Sequence, residues 1–133
     1  MRVAELMHTE LKTISVDATV ADAVDALTEA KVSAMPVVDR FGRAVGVVST
    51  RDILKAESTL NNAHARDTLF ELTTVLEVMA PWPPTVTPDL DVKQAALEML
   101  YLDAQRLFVE NEGTLVGVVS QSDIVGAVAR TKV

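Results

Sequence analysis

The sequence predicts a mixed α/β (α+β) fold made of two tandem βαββα units, and three observations carry that prediction. The chain repeats itself along most of its length. Within each copy, apolar residues at helical spacing are followed by two short runs of branched residues. Of the 133 residues, 49% are hydrophobic and only 4% aromatic, a palette suited to helices laid on short Val-rich strands.

The repeat organises the chain. Val3-Ala4-Glu5-Leu6-Met7 recurs as Val75-Leu76-Glu77-Val78-Met79, a shift of 72. Gly46-Val47-Val48-Ser49 recurs as Gly117-Val118-Val119-Ser120, and Asp52-Ile53 as Asp123-Ile124, a shift of 71. One residue is therefore missing from the second copy, near Asn111–Gly113. Aligning residues 3–39 and 42–56 with their counterparts gives 17 identities in 52 positions, in order along the whole unit. Chance similarity in a Val/Ala-rich chain does not keep that order.

Each copy opens with a short helical turn, Val3–Met7 or Val75–Met79. An extended stretch follows, Leu11–Val16 or Thr85–Thr87. In the second copy Pro81, Pro83, Pro84 and Pro88 hold it extended and irregular. An amphipathic helix is next: Val20, Ala23, Val24, Leu27 and Ala30 follow the i, i+3, i+4, i+7 spacing, as do Val92, Ala95, Ala96 and Met99. Thr19 with Asp22, and Asp91 with Gln94, read as N-caps whose N3 residue reaches back. Two strands come after it, Pro36–Asp39 and Ala44–Ser49 around a turn at Arg40–Arg43. Their counterparts are Leu107–Glu110 and Leu115–Ser120 around Asn111–Gly113. A second helix then begins, Thr50–Glu57 or Gln121–Arg130.

The boundaries that follow are repeat 1 at residues 1–57, a linker at 58–74 and repeat 2 at 75–133. The linker is polar at first (Ser58-Thr59-Leu60-Asn61-Asn62), the expected mobile loop. Asp67–Val75 carries Leu69, Phe70, Leu72 and Val75 and is expected to be helical. A unit this small does not bury its sheet alone, so the two units are expected to pack sheet to sheet about a pseudo-two-fold axis.

Nineteen acidic residues against twelve basic ones leave a net charge of −7. Such a surface repels phosphate backbones, which argues against nucleic acid as partner. With no cysteine, disulfides, thiolate chemistry and Cys-based zinc sites are excluded. No signal-like start or membrane-length apolar run occurs, so a cytoplasmic protein without membrane association is expected.

Three features in register, twice over, resemble the cystathionine β-synthase (CBS) domain family. They are the Val-x-x-Leu/Val-Met opening, Ser-Ala-Met-Pro-Val-Val-Asp at 33–39, and Gly-Val-Val-Ser-x-x-Asp-Ile at 46–53 and 117–124. The resemblance covers nearly the whole chain apart from the linker. It implies a stand-alone tandem pair, or Bateman module, that forms a homodimer. It also implies that the cleft between the copies takes an adenosine-type small molecule: AMP, ADP, ATP or S-adenosylmethionine. In that family the Asp of Ser-x-x-Asp holds the ribose hydroxyls, the Ser approaches ribose or phosphate, and backbone around the first two strands frames the adenine. Carried onto this chain, the implied ligand residues are Ser49, Arg51, Asp52, Thr13, Met35 and Pro36 for the first copy, and Ser120, Asp123, Thr85 and Phe108 for the second. No cofactor is required.

The residues make chemical sense of this. A carboxylate can accept hydrogen bonds from both hydroxyls of a ribose cis-diol, and a helix N-terminus beside it offers free N–H groups to a phosphate. Gly46 and Gly117 would let a ligand or a neighbouring strand come close to the backbone. The same Ser-x-x-Asp also reads as a capping box, Ser as N-cap and Asp at N3, and one motif can serve both ends. The copies are unequal. Arg51 supplies a cation beside Asp52, with Lys12 as a helper, while Phe108 stands where the first copy has Pro36 and either stacks on a base or narrows the cleft. Arg51 and Arg106 also read as plain surface charges, and Trp82 as a plug over the core or a contact residue. The first motif is favoured as the better nucleotide site.

Other chemistry fails. Only His8 and His64 are available for a metal, without His-Glu-x-x-His spacing. There is no nucleophile elbow and no Gly-rich phosphate loop. The expectation is a non-enzymatic regulatory sensor acting through an unidentified protein partner or through self-association, with a ligand-free interaction and dimerisation module as the alternative.

Overall fold

The computed structural model describes residues 1–130 as two compact units. One is central, Lys12–Pro83. The other is terminal and joins Met1–Leu11 to the chain from Pro84 onward. The fold is mixed α/β in both, and the repeat is visible in each.

In the central unit β1 (Ile14–Ser15) leads to α1 (Val20–Ala30), β2 (Ala34–Val38), β3 (Ala44–Ser49) and α2 (Thr50–Ser58). Then come α3 (Ala63–Leu72), α4 (Val75–Val78) and β4 (Ala80–Pro81). The sheet order is β1-β2-β3-β4, with β1 parallel to β2 and the other pairs antiparallel. Thr19 starts α1: its hydroxyl accepts from the Asp22 amide at 3.1 Å, and Asp22 returns a carboxylate to the Thr19 amide at 3.0 Å. The helix stops at Lys31, which takes a left-handed φ of 57°. Met35, Val37 and Val48 of the sheet meet Val20, Ala23 and Leu27 of α1, Ile53 of α2, Leu69 of α3 and Val75 of α4 in one core. Strand alternation turns Pro36 to the opposite face from Met35 and Val37.

The terminal unit repeats the plan. A 3-10 turn at Val3–Glu5 precedes α5 (Val92–Leu102), β5 (Arg106–Asn111), β6 (Thr114–Ser120) and α6 (Gln121–Arg130). The β5–β6 hairpin is flanked by two single bridges, Val86 parallel to Val109 and His8 antiparallel to Val118. These stand where the central sheet has β1 and β4. Val3, Val92, Ala95, Met99, Leu107, Val109, Val119 and Ile124 form its core.

Each unit is thus completed by the opening segment of the other repeat. Ala80 of the second opening pairs with Val47, and His8 of the first opening pairs with Val118. The docking bonds correspond: the Val75 amide donates to the Ala18 carbonyl, and the Val3 amide to the Leu90 carbonyl, both at 2.8 Å. Gly46 and Gly117 make room for these segments. A β-carbon on Gly46 would stand 2.6 Å from the Ala80 carbonyl oxygen, and one on Gly117 would stand 3.1 Å from that of His8. Of the two roles open to these glycines, close approach by a neighbouring strand is the one observed.

Several boundaries differ from expectation for local reasons. Extended pairing in the first stretch is confined to Ile14–Ser15, and in the second to Val86 alone. Asp91 caps the Lys93 amide at 3.0 Å, one residue earlier than the Gln94 arrangement anticipated. The helix expected at Asp67–Val75 begins at Ala63, because the Asn62 side chain accepts from the Ala65 amide at 2.8 Å and caps it. Only Thr59–Asn62 remains between α2 and α3. The missing residue falls in the hairpins: Asp39 folds back on the amides of Phe41 and Arg43 in the first. In the second, Glu112 and Gly113 make a tight turn with φ of 51° and 81°.

Replacing Thr19 by alanine removes one side of the α1 cap while leaving Asp22 in place. The expected loss is about 1 kcal/mol, a fall of a few degrees in the melting temperature, read by thermal denaturation. An unchanged melting point would mean that α1 is held by packing alone.

Candidate functional site

The two Ser-x-x-Asp motifs sit at the strand-to-helix junctions β3–α2 and β6–α6, each within its own unit. In the central unit Ser49 is the N-cap of α2, and its hydroxyl oxygen accepts from the Asp52 amide at 3.1 Å. Asp52 Oδ2 in turn accepts from the Ser49 amide at 3.1 Å and the Ser49 hydroxyl at 2.8 Å. The capping box is formed. It uses one carboxylate oxygen, and Asp52 Oδ1 has no hydrogen-bond partner among the described residues. The side chain is half-buried, and Arg51 beside it is exposed in the first turn of α2.

The other first-copy residues approach from the sheet. Ala34 pairs with Ser49 and Met35 with Val48, so the start of β2 runs beside the strand that ends at the motif. Thr13 is exposed and directly precedes Ile14, whose partner is Val37, which brings it toward Pro36. Pro36 is buried on the face away from α1. Met35 gives its side chain to the core at 2% exposure, leaving its backbone to face anything outside.

In the terminal unit the motif has the same cap with a different ending. The Ser120 hydroxyl oxygen accepts from the Asp123 amide at 3.1 Å, and Asp123 Oδ2 accepts from the Ser120 amide at 2.8 Å. Here Oδ1 is taken: His8 Nε2 lies 3.0 Å from it. Burial pushes the Asp123 carboxyl up, but the Ser120 amide, the His8 ring and the Ser120 hydroxyl outweigh it, and its pKa is lowered overall. Thr85 is half-buried next to Val86, whose amide donates to the Phe108 carbonyl at 3.1 Å. Phe108 is 4% exposed and points away from the face that carries Leu107 and Val109.

His8 is the site residue that sequence reasoning missed. It was weighed only as a metal ligand, and no spacing rule links it to a carboxylate 115 positions away. Among the described residues no group of three or more His, Asp or Glu side chains is placed to hold a metal ion. None of their helices is long and apolar enough to cross a membrane.

Comparison with known proteins bears on this arrangement. The chain is 31% identical over 126 residues to a CBS domain-containing protein of Dictyostelium discoideum, covering 92% of this chain and 87% of that one. It is 28% identical to the chloroplastic CBS domain-containing protein CBSX2 of Arabidopsis thaliana, over 95% of this chain. The chain spans about three fifths of the length of CBSX2 and of its relative CBSX1, 60% and 61%. The crystal structure of CBSX2 in complex with AMP superposes with a TM-score of 0.81 at 27% identity, covering 99% of both chains. The profile of the CBS domain matches residues 3–59 and again 75–130. With that profile matched twice and the fold shared along the whole chain, this protein belongs to the CBS domain family as a tandem pair.

Proposed function

We propose that the chain is a regulatory sensor that binds an adenosine-type ligand, AMP, ADP, ATP or S-adenosylmethionine, with Asp52 as its principal ribose acceptor. The observation that carries this reading is the Asp52 carboxylate itself. It is held rigid by Ser49 through Oδ2 while Oδ1 is left without a partner among the described residues. A fixed carboxylate with spare accepting capacity suits a cis-diol. The exposed Arg51 and the first amides of α2 lie beside it for a phosphate. The AMP held by CBSX2 at 27% identity supports the ligand class. Thr13, Met35 and Pro36 frame the base from the sheet, and Thr85, Phe108, Ser120 and Asp123 are the second copy's counterparts. No catalysis is proposed; binding passes its effect to a protein partner or to self-association in the cytoplasm.

The test is a thermal-shift series with AMP, ADP, ATP, S-adenosylmethionine and GTP at millimolar concentration, on the wild type and on Asp52→Ala. A ligand at 100 times its dissociation constant adds about 2.7 kcal/mol, several degrees for a chain of this size. Removing a charge-assisted acceptor costs about 1.5–3 kcal/mol, roughly 10- to 150-fold in affinity. Shifts with the adenosine compounds but not GTP, cut by about half or more in Asp52→Ala, are expected.

No shift with any compound would favour the second reading, a ligand-free interaction module. One observation speaks for it: Leu54 on α2, and Leu97, Leu100, Tyr101, Val125 and Val128 on α5 and α6, are large apolar side chains exposed by half or more, as surfaces that bind another protein or a second copy are. Self-association as a homodimer is compatible with both readings.

A further inference from the structure

We propose that His8 is a built-in occupant of Asp123, so that the chain offers one open ribose carboxylate where its repeat suggests two. The inference rests on the adenosine reading above and specifies how the second motif is regulated. Three observations carry it.

His8 Nε2 is 3.0 Å from Asp123 Oδ1, and Oδ2 already accepts the Ser120 amide at 2.8 Å. Both oxygens are therefore engaged. In the central unit the equivalent cap engages only Oδ2 of Asp52.

The difference has a structural origin. His8 pairs with Val118 and Ala80 pairs with Val47, corresponding places in the two sheets. At the place where the terminal unit presents an imidazole, the central unit presents a methyl group. The backbone that carries the ring is held in register, since the His8 amide donates to the Val118 carbonyl at 2.8 Å and the Val118 amide returns to the His8 carbonyl at 3.0 Å. Its side chain is 67% exposed and contributes nothing to the core. Both partners belong to one compact unit.

A ligand hydroxyl reaching for Asp123 must compete with an imidazole for Oδ1, whereas at Asp52 it meets an oxygen with no partner among the described residues. An intramolecular donor that is pre-positioned competes at high effective concentration. His8 thus acts as a positioning residue that reserves Asp123, and it tunes occupancy without touching the Asp52 site.

Isothermal titration with AMP tests this on wild type, His8→Ala, His8→Gln, Asp52→Ala and the double variant His8→Ala with Asp123→Asn. Wild type is expected to bind one AMP per chain, weakened roughly 10- to 150-fold in Asp52→Ala. His8→Ala is expected to bind two, and the added Asp123→Asn to return the count to one. Gln keeps an amide donor near the carboxylate, so His8→Gln is expected to weaken the second site relative to His8→Ala, a graded result that mere loosening of the unit does not give. Two Asp-dependent sites in wild type, a single site that requires Asp123, or an unchanged single site in both His8 variants overturns the inference while leaving the adenosine reading intact. No AMP binding by any of the proteins overturns both.

Discussion

Met35→Ala is expected to lower stability by about 2–5 kcal/mol, the usual range for emptying a long buried side chain. Met35 is 2% exposed and touches the centre of the core shared by β2, β3, α1 and α2. Its neighbours Val37 and Val48 are fully buried on strands whose ladder bonds fix their positions, so the wall cannot collapse into the gap. For 133 residues the melting temperature should fall by on the order of 10 °C. Thermal and urea denaturation of the purified variant provide the measurement. A loss under about 1 kcal/mol would mean that the core repacks around the gap. Met35 was also counted among the residues framing a base, and the two roles separate cleanly. Met35→Leu keeps nearly the same volume and should cost under about 1.5 kcal/mol, with the backbone unchanged.

Gly46→Ala should produce the second large effect. The added carbon would stand 2.5 Å from the Met79 sulfur and 2.6 Å from the Ala80 carbonyl oxygen. The thioether can swing aside, but the carbonyl belongs to β4 and is tied to Val47 through the sheet. Either β4 moves off or β3 bends, at a cost of about 1–3 kcal/mol. Hydrogen exchange should then show lost protection at the Ala80 amide, the one exchangeable backbone position of β4, and in the flanking α4. Gly42 is the internal control. It has open space around it and a φ of +78°, so alanine there meets backbone strain only, about 1–2 kcal/mol, confined to the hairpin tip with β4 protection intact. Equal loss of β4 protection in both variants would contradict the steric account.

How much was legible in the sequence depended on whether the information was local. The α1 helix was readable because Thr19, Asp22 and the Val20-Ala23-Leu27 stripe all lie within a dozen residues. The change of shift from 72 to 71 located the hairpin difference before any coordinates. Both Ser-x-x-Asp caps were readable for the same reason. The exchange of openings was not, since the apolar pattern at Val3–Met7 tells which face is buried and not against which sheet. Nor was the Asn62 cap, because an Asn-Asn pair in a polar stretch reads as loop until its amide neighbour is seen. His8 lies beyond any local rule: its partner is reached only through the pairing of residue 8 with residue 118.

That exchange has a consequence for how such a chain can arise. A single ancestral copy would carry an opening segment that fits the sheet edge of a neighbour, so it would be complete only as a reciprocal pair, the logic of domain swapping. Duplication and fusion turn that exchange into an intramolecular one, removing its dependence on concentration. Once fused, the halves are free to differ in sequence at the swapped positions, as His8 and Ala80 do. They are not free to be shuffled singly, because a gene cut inside residues 59–62 hands each fragment the other's edge strand.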